Sequence, residues 1–184
     1  MNVAFKRPDL LVIRAVTSYR CNTCLTEQKP ARSQDPSLVL PPGNSVSTSL
    51  LKFQAKEVIT RNCFKCKQDR SCSSVTTFTD LPEVLVLNVR RSEFDPKSGV
   101  HRRLSGNVAC DKTLSLTLDG DGPTVAYRLS SVIHHSGTPE KGHYTSTLCD
   151  HNSSKMWSCN DSSVKQLKRI NYKSACIFLY RKEE

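Results

Sequence analysis

Apolar and polar positions alternate with a period of two over most of this chain, and one segment departs to the helical period. Leu10 to Tyr19 is an apolar, β-branched run that predicts a strand, and Asp35 to Leu40 predicts a second, closed by the turn Pro41-Pro42-Gly43-Asn44. Between Ser45 and Val58 the period changes. Val46, Leu50 and Phe53 fall at i, i+4 and i+7, a helical stripe with Ser45 or Ser47 as N-cap. Ser73 to Thr79 alternates weakly, and Leu81-Pro82 turns into Val84 to Val89, a nearly continuous apolar run of the kind found in a central buried strand. Ser92 to Ser105 is polar, holds Pro96 and Gly99, and predicts a hairpin-like loop. Leu114 to Leu118 alternates cleanly before the turn Asp119 to Pro123. Val125 to His135, His143 to Asp150, Met156 to Cys159 and Ala175 to Tyr180 complete a run of strands, with a short helix or turn expected over Ser163 to Ile170. No internal repeat or low-complexity segment interrupts this order. The pattern predicts an α+β chain, mostly antiparallel β, with a small cysteine-bearing unit first and a sheet after it.

Length and charge add little to that picture. A chain of 184 residues is long enough for one domain with a real core, or a core plus an appendage. Lys and Arg number 27 against 17 Asp and Glu, an excess of ten that suits nucleic acid or an acidic partner surface. The basic residues are dispersed, however, and no aromatic residues interleave with them on one face, so a solvated surface is the expectation and a nucleic-acid partner is not. Met1 to Pro8 is polar and basic, the apolar run Leu10 to Ile13 is too short for a signal sequence, and no stretch approaches membrane-span length. No membrane partner is expected, and the compartment expected is cytoplasmic or nuclear.

Nine cysteines in such a reducing compartment are read first as metal ligands. Cys21-x-x-Cys24 and Cys63-x-x-Cys66 each place two thiolates on one side of a tight knuckle. Two knuckles brought together by antiparallel strands give the tetrahedral sulfur cage that zinc prefers. The 38 intervening residues are long for a minimal finger and suit a ribbon with other elements inserted. The competing reading is one structural pair and one incidental pair, or buried free thiols. Four cysteines leave no open coordination position, so the metal would be structural. Cys72, Cys110, Cys149, Cys159 and Cys176 are scattered, the last three in strand-like contexts that suit small core residues.

The stretch from Ala126 to Val164 carries the chemistry. His143 stands at the start of a predicted strand, behind Gly142, which permits close backbone approach, and Asn160-Asp161 follows about one strand-pair later. A histidine base whose ring is held by an amide or carboxylate from the neighbouring strand is two-thirds of a catalytic triad. A second metal site from His134, His135, His143, His151 and Cys149 is disfavoured, because His134 and His135 point to opposite faces of one strand.

These residues resemble, over nearly the whole chain, the ubiquitin-specific proteases, cysteine peptidases that remove ubiquitin. Two C-x-x-C pairs match the fingers of that family. Leu81-Pro-Glu-Val-Leu-Val-Leu-Asn-Val-Arg-Arg-Ser92 matches the run that opens its palm. Tyr127 to Tyr144 matches its histidine box, Trp157, Asn160, Asp161 and Val164 its asparagine/aspartate box, and Ala175-Cys-Ile-Phe-Leu-Tyr180 its closing motif. The resemblance implies a partial catalytic domain over 1–184, with zinc-ribbon fingers at 10–80 and a papain-like palm at 81–184. It implies His143 as general base, Asn160 as orienting residue with Asp161 as alternative or helper, a His135–Gly142 loop that shapes the channel for ubiquitin's tail, and ubiquitin or ubiquitinated proteins as partners.

The departures are as informative. The family's nucleophile lies in an N-x-G-x-x-C-x-x-N box upstream of the fingers, and no such box exists in this sequence, nor the oxyanion residue beside it, nor the helical thumb. Ser92 replaces an aromatic, and Cys159 stands where Phe or Tyr is usual. The expectation is a deubiquitinase part that is inactive by itself. The alternative is a non-catalytic ubiquitin-binding pseudo-deubiquitinase module, and an exposed, apolar palm edge is expected in either case.

Overall fold

The computed structural model describes residues 10–104, 106–138, 141–150 and 153–183. The chain opens on a hairpin of β1 (Ile13–Cys21) and β2 (Glu27–Asp35), with the first C-x-x-C as its turn. A short β3 (Leu38–Leu40) and the helix α1 (Val46–Gln54) follow. A second hairpin, β4 (Glu57–Cys63) and β5 (Gln68–Asp80), has the second C-x-x-C as its turn. Then come β6 (Val84–Val89), the small hairpin β7 (Ser92–Asp95) and β8 (Val100–Arg103), β9 (Thr113–Thr117), β10 (Thr124–Gly137), β11 (Gly142–Cys149), β12 (Met156–Asn160), β13 (Ser163–Leu167) and β14 (Ala175–Lys182).

Two sheets organise these elements. The two cysteine hairpins join through β1 and β5 into a four-stranded antiparallel sheet of order β2-β1-β5-β4. The second sheet has eight strands in the order β13-β12-β11-β10-β14-β6-β3, with β9 also paired to β10. Its pairs are antiparallel except β3 on β6. Leu38 to Gln54, which lies between the two cysteine hairpins in sequence, packs with the larger sheet: Leu38, Leu40, Val46 and Leu50 are buried with Leu85, Leu87, Tyr127, Val132, Phe178 and Tyr180. The two buried phenols each reach a backbone acceptor, Tyr127 Oη donating to the Pro82 carbonyl at 2.5 Å and Tyr180 Oη to that of Asp111 at 3.0 Å.

Several predicted boundaries shift for physical reasons. The helix begins where expected, with the Ser45 hydroxyl accepting the Thr48 N–H at 3.0 Å. It stops at Gln54, short of the predicted Val58, because Val58-Ile59-Thr60 is a β-branched run taken up by β4. Strand β2 is an edge strand that buries only Gln28, so its sequence EQKPARSQD carries no alternation to read, and its edge position tolerates Pro30. The helix or turn expected at Ser163–Ile170 is instead the edge strand β13. Asp161, at φ +50°, closes a two-residue turn that sends the chain back along β12. The hairpin-like loop expected at Ser92–Ser105 is a paired hairpin, whose turn is capped by Asp95 Oδ1 and Oδ2 accepting from the Lys97 N–H and the Ser98 hydroxyl. Of the two edges of the larger sheet, β13 is polar apart from the exposed Val164, and β3 is apolar with Val39 exposed. The exposed apolar side chains Tyr144, Leu148, Trp157 and Val164 lie on the outer face of the sheet.

Candidate active site and metal centre

Each cysteine knuckle is built alike. Cys21 and Cys63 end a strand, two residues turn, and the residue after the second cysteine adopts a left-handed backbone, Leu25 at φ +59° and Lys67 at φ +58°. The N–H of each returns to the carbonyl of the first cysteine, Leu25 to Cys21 at 2.9 Å and Lys67 to Cys63 at 2.8 Å. Pairing of β1 with β5 sets the two knuckles face to face, and the four sulfurs all lie within 4.8 Å of one another. Cys24 Sγ and Cys63 Sγ are 3.6 Å apart, close to the ~3.8 Å edge of a tetrahedron with 2.3 Å zinc–sulfur bonds. Cys63 Sγ also accepts the Cys66 N–H and Gln28 Nε2, each at 3.4 Å, the kind of outer support that orients a thiolate ligand.

The charge balance of the cage points the same way. The Thr26 hydroxyl and N–H bring Cys24 down to about 6. Hydrogen bonding and repulsion from the neighbouring sulfurs, Cys24 first, together with burial, push Cys66 up to about 12. The four sulfurs lie close enough to share one ion, and a divalent metal with a taste for thiolates suits both the donors and the geometry. A fifth thiol, Cys72, is fully buried directly opposite Cys21 in the β1–β5 register. Its place beside the cage depends on strand register, which sequence spacing does not reveal.

The second constellation sits at the other sheet. Strands β10 and β11 stay paired to Gly137 opposite Gly142, so the loop between them is shorter than the His135–Gly142 span. Both glycines are sterically required. A Cβ at Gly137, whose φ is +111°, would collide with the Lys141 carbonyl, and one at Gly142 would strike the His135 ring and the Ser136 carbonyl. Immediately after this turn, His143 Nε2 lies 2.6 Å from Asn160 Oδ1, across from β12. The same nitrogen is 3.7 Å from Asp161 Oδ2. An amide oxygen only accepts, so Nε2 carries the proton in this pair and Nδ1 keeps a free lone pair. His143 is about half exposed, which leaves Nδ1 open to a partner group.

The remaining histidines separate as alternation requires. His134 is buried, with Nε2 at 2.9 Å from Thr147 Oγ1 and Nδ1 at 3.4 Å from Ser174 Oγ, and burial lowers its pKa. It is a buried structural histidine, tied to β11 and to the residue that precedes β14. His135 points to the other face and tilts against Tyr144, ring centroids 4.6 Å apart. These two rings line a cavity of about 200 Å³ with Asn88, Arg91 and Arg103. Arg103 reaches from β8 to donate to the carbonyls of His135 and Gly137, both at 2.6 Å, and so fixes the strand that ends at the loop. Arg103 carries no signal of this role in the sequence, because its segment reads as a polar, hairpin-like loop and the carbonyls it bonds lie more than 30 residues away. His151 lies outside the described residues. Of the five cysteines beyond the cage, Cys176 is buried and donates to the Ile133 carbonyl, Cys149 is half-buried and packs against the main core, and Cys159 is half-buried outside that cluster. Cys159 precedes Asn160 and so faces the opposite side of β12. No thiol of the nine is hydrogen-bonded to His143.

Comparison with known proteins places this geometry. The family model described as ubiquitin carboxyl-terminal hydrolase matches residues 8–180. "Probable ubiquitin carboxyl-terminal hydrolase 9" of Schizosaccharomyces pombe is 28% identical over 140 residues, covering 70% of this chain and 24% of its own length. "Ubiquitin carboxyl-terminal hydrolase 48" of Danio rerio is 22% identical over 156 residues, 80% of this chain and 15% of its own. The chain thus spans about a quarter or less of these relatives. Among solved structures, a SAGA DUB module containing Ubp8, Sgf11, Sus1 and Sgf73, bound to monoubiquitin, superposes with a TM-score of 0.83 at 21% identity. The match covers 96% of this chain and 41% of that one. The same module bound to ubiquitin aldehyde gives 0.81 at 20%, covering 96% and 42%. At such identities the shared property is the fold.

Proposed function

The chain belongs to the ubiquitin carboxyl-terminal hydrolase family, and from this premise we propose that its 184 residues are the base-bearing part of a USP-type deubiquitinase, competent to hold ubiquitin and unable to cleave by themselves. The single observation that carries the reading is the 2.6 Å contact of His143 Nε2 with Asn160 Oδ1 at the exit of the Gly142 turn. Zinc held by Cys21, Cys24, Cys63 and Cys66 supplies a structural cross-link between the two hairpins, with no open position for substrate.

The roles follow from the proton inventory. With Nε2–H donated to Asn160, the Nδ1 lone pair accepts the proton of a cysteine thiol, and the imidazolium so formed keeps its Nε2–H on the amide oxygen. The thiolate attacks the carbonyl at the ubiquitin C-terminus, His143 returns its proton to the departing lysine amine, and water resolves the thioester with His143 again as base. Asn160 is the orienting residue by distance. Asp161, at 3.7 Å, adds charge attraction to the imidazolium. None of the nine cysteines of this sequence stands in a nucleophile box or reaches His143, so the attacking thiol is not supplied here. The cavity lined by Asn88, Arg91, Arg103, His135 and Tyr144 opens on the face of the sheet opposite His143, so it takes no part in this step.

The test is a titration of ¹⁵N-labelled ubiquitin with the zinc-loaded chain. The expected result is saturable shifts that include the C-terminal tail. Unchanged spectra at about millimolar chain, weaker than any functional encounter of this kind, would refute ubiquitin recognition by this part.

A further inference from the structure

A second, wider concavity lies at the far end of β11 from His143, about 20 Å away at the ~3.3 Å rise per strand residue. It encloses about 810 Å³. Its floor is apolar: Leu129 is buried, Ile170 and Met156 are half-buried, and burial drives the Cys110 thiol up to about 12. Its rim is cationic. Lys112, Lys155, Lys168 and Arg169 are all exposed there, and none of the four has a carboxylate partner among the described residues. A fifth cation, Arg128, is paired with Glu183 at 2.7 Å. The one acid in the lining, Asp150, accepts the Ser153 hydroxyl at 2.6 Å.

Four cations without a carboxylate partner, set around a groove that holds one acid, give it a positive potential that favours an anionic guest over a cationic or neutral one. We propose that this groove docks a short, extended acidic segment of a partner protein, carboxylates on the rim and an apolar side chain on the floor. The volume lies in the upper part of the range of built ligand sites, about 300–1,000 Å³, and far exceeds a single phosphate. The cations ring the groove instead of converging on one point. Tyr172 is the only aromatic residue in the lining, so there is no ladder on which bases could stack. The proposal is independent of the deubiquitinase reading, because it uses no residue of the His143 site.

The experiment uses the full 184-residue chain and a fluorescein-labelled peptide of alternating glutamate and leucine, followed by anisotropy. A lysine–leucine peptide, a thymidine oligonucleotide and inorganic pyrophosphate serve as competitors. Saturable binding in the range of roughly 1–100 µM is expected, weakening as salt screens the rim and by about tenfold or more in the double variant Lys168→Glu/Arg169→Glu. Lys29→Glu/Arg32→Glu, on the edge strand β2 of the small sheet, should bind as the parent does. All four substituted side chains are exposed, so folding is not at issue. Absence of saturation, equal weakening by both double variants, or stronger competition by the oligonucleotide or pyrophosphate than by unlabelled acidic peptide would each overturn the assignment.

Discussion

The distal half of the four-stranded sheet should depend on its metal. Beyond the residues that join the main core, the buried side chains of this sheet are chiefly Cys21, Cys63 and Cys72, backed by Ile59, far too little apolar surface to hold two hairpins. Structural zinc contributes on the order of 10–16 kcal/mol in small sites, as much as the whole stability of an ordinary domain, about 5–15 kcal/mol. Cys63→Ser removes one ligand and the sulfur that accepts from Gln28 and Cys66. Hydrogen exchange with metal analysis is the assay. The parent should hold about one zinc per chain, with protected amides through β1, β4 and β5. In Cys63→Ser, or after chelation of the parent, exchange should become fast from Ile59 to Cys72 and around Cys21, while Val132 and Phe178 in the larger sheet stay protected. Cys72→Ala should keep the zinc, because Cys72 stands outside the cage. Retained protection from Ile59 to Cys72 after complete metal removal would refute the reasoning, as would loss of zinc in Cys72→Ala alone.

Three further outcomes follow from single contacts. Nitrogen-15 shifts of His143 should report the Nε2–H tautomer at high pH, shifting to a tautomer mixture in Asn160→Ala and persisting in Asp161→Ala; the reverse pattern would transfer the orienting role to Asp161. Tyr127→Phe strands the Pro82 carbonyl in a buried site and should cost about 1–3 kcal/mol in urea unfolding, whereas no change would mean that water reaches that carbonyl. Burial lowers the pKa of His134 from its ordinary 6.5, so the unfolded state takes up that proton first as pH falls. His134 therefore contributes stability that is whole above pH 6.5 and is lost on acidification below it, with a slope of at most about 1.4 kcal/mol per pH unit. Comparison of parent and His134→Gln melts through that window should show a shallower fall in the variant, and parallel curves would contradict it.

What was legible in the sequence had a local physical signature. Buried strands such as Val84–Val89 declare themselves by apolar runs, the helix start by Ser45, and the knuckles by their two-residue spacing. Glu27–Asp35 and Ser163–Leu167 were not legible as strands, since edge strands with both faces in water carry no alternation. The His143–Asn160 pair was visible as a pattern, but the proposed preference for Asn160 over Asp161 rests on distances set by the turn, 2.6 Å against 3.7 Å, with Asp161 in a left-handed backbone. Cys72 and Arg103 act across register and between hairpins, at sequence separations where no spacing rule operates.

The central claim is a catalytic base in a chain without its nucleophile. The most direct measurement is release of fluorophore from a ubiquitin C-terminal amide by the purified, zinc-loaded 184-residue chain, compared with His143→Ala. Both proteins should show only the background rate of the buffer. Hydrolysis by the parent that His143→Ala abolishes would mean that one of the nine cysteines serves as the nucleophile, and would contradict the claim.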